Sequence, residues 1–291
     1  MSTGTVRYAG YLFILPYLTF LGLFLAYPLF FAVYMSFHDY FFAAPGAVVE
    51  RPFIGLDNYR TLLFEDETFR TTLGNITVFI LVNVPLTAAL AIVLASALNA
   101  RLPGRTFFRT SYYIPYVTAS VAIIAVWGYL FFSGGLVNRV IGPLAPEPSW
   151  LVNEFWAMIV IALLVTWKNL GYYVLLYLAA LQGIPRQLYE AAEVDGAGVF
   201  ARFWNVTVPG LRPATVLVVI LSTIIGANLF TEPYLLTSGG GPSNQTLSPI
   251  LYMYQQGIEQ ADAGYAAAIG VTLSVAVLLI AAAQRFILER D

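Results

Sequence analysis

Glu190-Ala191-Ala192, followed by Asp195-Gly196, places carboxylates on a short polar stretch that ends in a glycine turn, between Pro185 and Pro209. Such a stretch can offer ion-pair partners to another protein. Lys168 and Asn169 form a second candidate group, joined by Asn83, Asn228 and Glu232, because all five interrupt strongly apolar runs. Polar groups in apolar runs are costly in lipid and turn toward a cavity or a partner. Most other chemistry is excluded by composition. There is no cysteine, which removes thiolate nucleophiles, iron-sulfur clusters and cysteine-ligated zinc. His38 is the only histidine, so HExxH and multi-histidine metal centres are impossible. The one lysine, Lys168, stands between Trp167 and Asn169, so the chain has no phosphate-binding Gly-Lys-Ser/Thr loop and does not hydrolyse ATP by that route. A net charge of -2, without clustered basic residues, gives no pull toward nucleic acid.

These residues must be positioned by membrane helices. Of 291 residues, 59% are apolar and 10% charged, against about 25% charged in soluble domains. A bilayer core needs about 20 apolar residues as helix. Six runs qualify, giving expected spans at about 11–37, 72–99, 110–132, 155–182, 211–231 and 264–286 in one transmembrane domain covering residues 1–291. The first is too long for a signal-peptide core and no A-x-A-like cleavage site follows, so it is read as a mature helix. Nine arginines fall in the termini and even-numbered loops (Arg7, Arg101, Arg105, Arg109, Arg186, Arg202, Arg212, Arg285 and Arg290), and four in the other loops. The positive-inside rule then puts both termini in the cytoplasm. The all-α fold class follows, a polytopic membrane protein of six helices.

The span residues carry alternative readings. Lys168 is either a substrate contact or half of an intramembrane ion pair or carbonyl contact. Asn83 either lines a pathway or hydrogen-bonds between helices, with Pro85 freeing a carbonyl nearby. Asn75, near an interface, is read as a capping or solvated residue rather than a ligand contact. Asn228 and Glu232, four apart, would face the same way on a continuing helix.

The stretch LAALQGIPRQLYEAAEVDGAGVFARFWNVTVPGLRP reads as helix, turn and second helical turn at the cytoplasmic surface. It resembles the permease subunits of binding-protein-dependent ABC importers, whose signature is EAA, three residues, Gly, nine residues, then Ile-x-Leu-Pro. Here Glu190-Ala191-Ala192, Gly196 and Val206-Thr207-Val208-Pro209 match, with valine at both aliphatic positions. IGLDNYRTLL, PYLLTSGGGPSNQT and GYAAAIGVTLSV are similar to the carbohydrate branch, related to the large permease of the maltose importer. The resemblance implies the type I importer permease fold, a sugar substrate, and a coupling loop at 184–212 whose ATPase-coupling residues are Glu190, Ala191, Ala192, Asp195, Gly196 and Pro209. It also implies partners: a second permease subunit, usually a different chain, two ATPase subunits carrying ATP and magnesium, and an extracytoplasmic sugar-binding protein. No cofactor is expected on this chain, and the location implied is the cytoplasmic membrane of a prokaryote. Two alternatives remain, an ion-coupled secondary transporter and an importer permease for another solute such as a glycerol phosphate.

Overall fold

The computed structural model describes residues 3–44, 46, 49–99 and 104–288; Arg101 and Arg290, used above for topology, lie outside them. Along the chain run α1 (Thr3–Leu21), α2 (Tyr27–Ser36), α3 (Glu67–Asn99), α4 (Arg105–Val117), α5 (Ser120–Phe131), α6 (Trp156–Gly183), α7 (Arg186–Val194), α8 (Arg212–Ala227), α9 (Thr231–Leu236) and α10 (Ala263–Leu288), with shorter turns between them. Among the described residues β-pairing is confined to the isolated bridges His38↔Phe53 and Phe41↔Asp262. Among the described residues five helical stretches are long and apolar enough to cross a membrane, or six if Val199–Gly210 and Arg212–Ala227, bent by 66°, form one span.

Two expected spans are broken. The apolar run at 110–132 divides, because α4 ends at Val117 and α5 begins at Ser120, with Thr118 and Ala119 extended between them. The run at 211–231 likewise stops at Ala227, and α9 starts afresh at Thr231. Periodicity counts apolar residues and does not see where tertiary contacts interrupt a helix.

Contacts group the chain into two compact units, Met1–Asp66 with Met253–Ser274, and Glu67–Tyr252 with Val275–Asp291. In the first, residues 11–31 expose most of their apolar side chains, as helices facing lipid or a partner do. The Tyr59 hydroxyl pairs with Ser36 Oγ at 2.6 Å, and Asn58 Nδ2 donates to the Ser36 carbonyl at 3.0 Å. Tyr265 donates its hydroxyl to Asp66 Oδ2 at 2.5 Å. Asp262 caps the first turn of α10, accepting the Tyr265 N–H on Oδ1 at 2.9 Å. Burial first, and then the charge of Asp39, pushes the Asp262 carboxyl above the usual carboxylate range, partly offset by that N–H. A raised native value means that Asp262 supports the fold most below its unfolded value and loses this as pH rises through the native one. Asp262→Asn, which keeps the cap, should therefore raise the thermal midpoint at pH 8 and leave it unchanged at pH 4. An equal shift at both pH values would refute this.

In the second unit the core is the packing of α3 on α6. Ala88, Ala91 and Ala95 give α3 a small-residue face on which Tyr173, Val174, Tyr177 and Leu178 lie buried. Small residues let helices approach where lipid supplies no hydrophobic drive. A second apolar cluster joins Ile76 and Phe79 of α3 to Met158, Ile161, Leu164 and Val165 of α6 and Ile123 and Ile124 of α5. At Gly171 the backbones touch: a β-carbon there would run into the Tyr112 carbonyl and lie 2.8 Å from Tyr113 Cα, so α4 and α6 meet without a side chain between them.

Candidate functional site: the buried ion pair and the exposed knob

The polar span residues resolve into distinct roles. Lys168 on α6 donates to Glu232 Oε1 at 3.2 Å and to Ser120 Oγ at 2.7 Å. The side chains of this ion pair are only 16% and 10% exposed, so it is shielded from solvent. Of the two readings of Lys168, the geometry realises the intramembrane ion pair. Asn169 is half-buried beside it. Asn83, fully buried, donates to Thr166 Oγ1 at 2.8 Å and so ties α3 to α6, with Thr87 reaching the same hydroxyl at 3.3 Å. Asn228 lies exposed and folds back on its own helix, donating to the Ile224 carbonyl at 2.8 Å. Because the helix ends there, Asn228 and Glu232 do not share a helical face, and the alignment expected from their spacing fails. Asn75 is not an interfacial cap: it is buried and donates to the Asn244 and Leu247 carbonyls at 2.7 and 3.0 Å, holding the segment that follows α9.

That segment is conformationally unusual. Ser238, Gly239, Gly240, Gly241, Ser243 and Asn244 all have positive φ. Such backbone persists only where surrounding contacts over-determine it. Here the Thr237 and Thr246 hydroxyls meet at 2.7 Å, Gly241 N–H donates to the Thr237 carbonyl at 2.8 Å, and Ser248 donates its hydroxyl to the Leu229 carbonyl.

The knob at 184–212 has a simple local logic. Pro185 disfavours the helical conformation at Ile184, which is extended (φ -74°, ψ 124°), so α6 stops at Gly183 and α7 restarts at Arg186. Gly196, at φ +77°, ends α7 in a Schellman motif: Ala197 N–H donates to the Ala192 carbonyl at 2.9 Å and Gly196 N–H to the Glu193 carbonyl at 3.0 Å. The knob is anchored from beneath by Tyr189, whose hydroxyl meets Thr207 Oγ1 at 3.0 Å, and by fully buried Leu211. Glu190, Ala191, Asp195, Gly196 and Pro209 are exposed and Ala192 is half-buried. Glu193 pairs with Arg202 at 3.2 Å, so it is internally engaged.

The sequence reading missed half of this surface. Val194, Val199, Phe200 and Trp204, in the same loop as the carboxylates, are 88%, 73%, 82% and 63% exposed. Phe200 and Trp204 stand four apart, which was the available signal. Exposed apolar side chains gathered at a polar surface mark an interaction site.

Residues 87–290 match the family model described as the binding-protein-dependent transport system inner membrane component. The chain belongs to this family. Like its relatives it is a permease subunit and not an enzyme. Among its relatives, the arabinooligosaccharides transport system permease AraP of Bacillus subtilis is 35% identical over 94% of this chain and 86% of the relative. The trehalose/maltose transport system permease MalF of Thermococcus litoralis is 36% identical over 92% and 90%. The lactose transport system permease LacF of Rhizobium radiobacter is 35% identical over 92% and 91%. A solved bacterial alginate ABC transporter, in complex with alginate pentasaccharide-bound periplasmic protein, superposes with a TM-score of 0.79 over 97% of this chain and 94% of its own, at 24% identity. That likeness establishes the permease fold.

Proposed function

We propose that this permease forms half of the translocation pathway of an ATP-driven sugar importer and receives the ATPase stroke through residues 184–212. The observation that carries this reading is the knob: a helix of nine residues that exposes Glu190 and is closed by a left-handed glycine, followed by a second turn that exposes Phe200 and Trp204. A short rigid element with a charged and an apolar contact is what a groove on a cytoplasmic ATPase would grip. The sugar assignment draws on relatives whose names specify arabinooligosaccharides, trehalose/maltose and lactose. A second permease, two ATPase subunits and a sugar-binding protein complete the assembly, with ATP and magnesium bound on the ATPases.

In this mechanism the ATPase dimer pushes the knob, and the helices pass between inward-open and outward-open states. ATP must favour one state by differential binding, since equal affinity for both would shift nothing. Asn169 and Asn228 are the pathway candidates, while Asn83 ties α3 to α6 and Lys168 and Glu232 are engaged with each other.

Reconstitution tests the reading directly. The complete complex in proteoliposomes should take up a neutral oligosaccharide only with ATP and binding protein. Uptake driven by an ion gradient without ATP would instead support a secondary transporter. Topology is tested alongside: single cysteines at Glu50, Leu144 and Ser243 should react with an impermeant thiol reagent on sealed cells, and one at Gln187 should not. Labelling at Gln187 would remove the knob from the cytoplasm.

A further inference from the structure

Lys168 lies on α6 between the two apolar clusters. One includes Met158 to Val165, and the other includes Leu170 to Ile184. Between them runs a polar layer, formed by Asn83, Thr87 and Thr166 on one side and by Lys168, Ser120 and Glu232 on the other. Helix continuity is lost or weakened at the same layer. Pro85, between Asn83 and Thr87, removes a hydrogen bond from α3. Thr118 and Ala119 separate α4 from α5, and Asn228 to Phe230 separate α8 from α9. Ser120 opens α5 and Glu232 is the second residue of α9, so each stands in the first turn after a break, and one lysine on the unbroken α6 holds both.

Beyond the layer, α5 and α9 pack on each other. A β-carbon at Gly128 would lie 3.6 Å from Leu236 Cδ1, and Ile123, Ile124, Leu229 and Leu236 share one cluster. The knob belongs to the other half, since Tyr189 and Val206 pack against the cluster of Leu211 and Val218.

We propose that Lys168 is a positioning residue, a latch that fastens the starts of α5 and α9 to α6 so that the two helices move as one body, with Thr118–Ala119 and Asn228–Phe230 as its hinges. Separating the pair would leave two charges unpaired in a poorly solvated layer, so the pair stays closed and motion is absorbed by the backbone breaks. Displacement of the knob half then reaches α5 and α9 through the continuous α6, to which the latch holds them. Hinges of this kind are a few element-terminal residues that take up the φ/ψ change.

The latch rests on the transport reading for its uptake arms, which are read relative to the parental complex; failure of the parent to transport counts against that reading alone. The decisive arm uses the otherwise parental complex, with Gly128→Cys and Leu236→Cys joined by a short bifunctional methanethiosulfonate. If α5 and α9 travel together, linking yield is equal with and without ATP plus vanadate, and linked complexes retain at least half of parental uptake. A yield that changes with nucleotide, or uptake abolished by the link, overturns the proposal. The second arm compares uptake per assembled complex. Lys168→Met should lose at least tenfold while binding-protein-stimulated ATP hydrolysis persists, and Lys168→Met with Glu232→Gln should recover to within about threefold of the parent, because no lone charge remains. A loss confined to the amount of assembled complex, with normal uptake per complex, is the mark of a purely structural pair and also overturns it.

Discussion

Gly171→Val is expected to reduce the yield of folded, monodisperse permease at least tenfold, with Gly171→Ala intermediate. Any β-carbon at Gly171 would enter the backbone of α4 at Tyr112 and Tyr113. A flexible neighbour could swing aside, but a carbonyl in a hydrogen-bonded helix cannot. Accommodation therefore requires α4 and α6 to separate, which also opens the contacts that Tyr112 and Tyr172 make with the cluster around Tyr173 and Tyr177. Overpacking costs about 1–3 kcal/mol in a core that can relax, and a backbone-to-backbone contact belongs at or above the top of that range. About 3 kcal/mol is a factor of roughly 100 in the folding equilibrium. Gly74→Ala is the control, because Gly74 lies on α3 with no atom within 4 Å of its β-carbon position. That change should be neutral or slightly stabilising, since alanine is the better helix former. Thermal midpoints and size-exclusion profiles in detergent measure both, and a Gly171→Val protein as stable as the parent would show that the close approach is dispensable.

Gly171 also shows what was legible in the sequence. A glycine inside an apolar span beside polar residues reads as a close-packing position, and the structure supplies the backbone it packs on. The helical class was equally legible, since an apolar run of sufficient length in lipid has to close its backbone hydrogen bonds internally. The interruptions were not. Neither Thr118 nor Ala119 is a helix breaker, and Pro115, the nearest one, lies inside α4. Their extended conformation accompanies contacts made far away, notably that of Ser120 with Lys168, 48 residues on. The same holds for Glu232, which pairs across 64 residues with Lys168. The i, i+4 argument that joined it to Asn228 assumed a helix that the fold ends at Ala227.

The knob was more legible because its determinants are local. Pro185 fixes the stop and Gly196 the turn through constraints on adjacent backbone, which need no tertiary information. Its contact chemistry was only half legible. The carboxylates stood out against a sequence poor in charge, whereas Val194, Val199, Phe200 and Trp204 were hidden in a chain where most residues are apolar. Only exposure separates an apolar side chain that faces lipid or core from one that awaits a partner.

Substitutions on the knob should then uncouple transport by two distinguishable routes. On the proposed coupling role Glu190→Ala would remove one member of an interfacial charge pair, a change that typically costs about 2–5 kcal/mol and so about 30-fold or more in ATPase affinity. Phe200→Ala removes an aromatic anchor; such residues cost about 2 kcal/mol or more when they sit at the centre of an interface, again roughly 30-fold. Gly196→Val acts differently. Nothing lies within 4 Å of its β-carbon position, so the substitution meets no neighbour, but φ +77° costs a β-carbon about 1–2 kcal/mol. The turn should open, losing the bonds from Gly196 and Ala197 to the end of α7, while the membrane helices fold normally. Glu193→Ala is the control on the same helix: its carboxylate is 71% exposed and already paired with Arg202, a surface pair worth about 0–1 kcal/mol. The measurements are copurification of the ATPase with this permease and binding-protein-stimulated hydrolysis and uptake in proteoliposomes. Glu190→Ala and Phe200→Ala should lose ATPase on washing, whereas Gly196→Val should retain some ATPase yet hydrolyse ATP without proportionate uptake. If all three assemble and transport like Glu193→Ala, the knob is a solvated loop and the stroke enters the permease elsewhere.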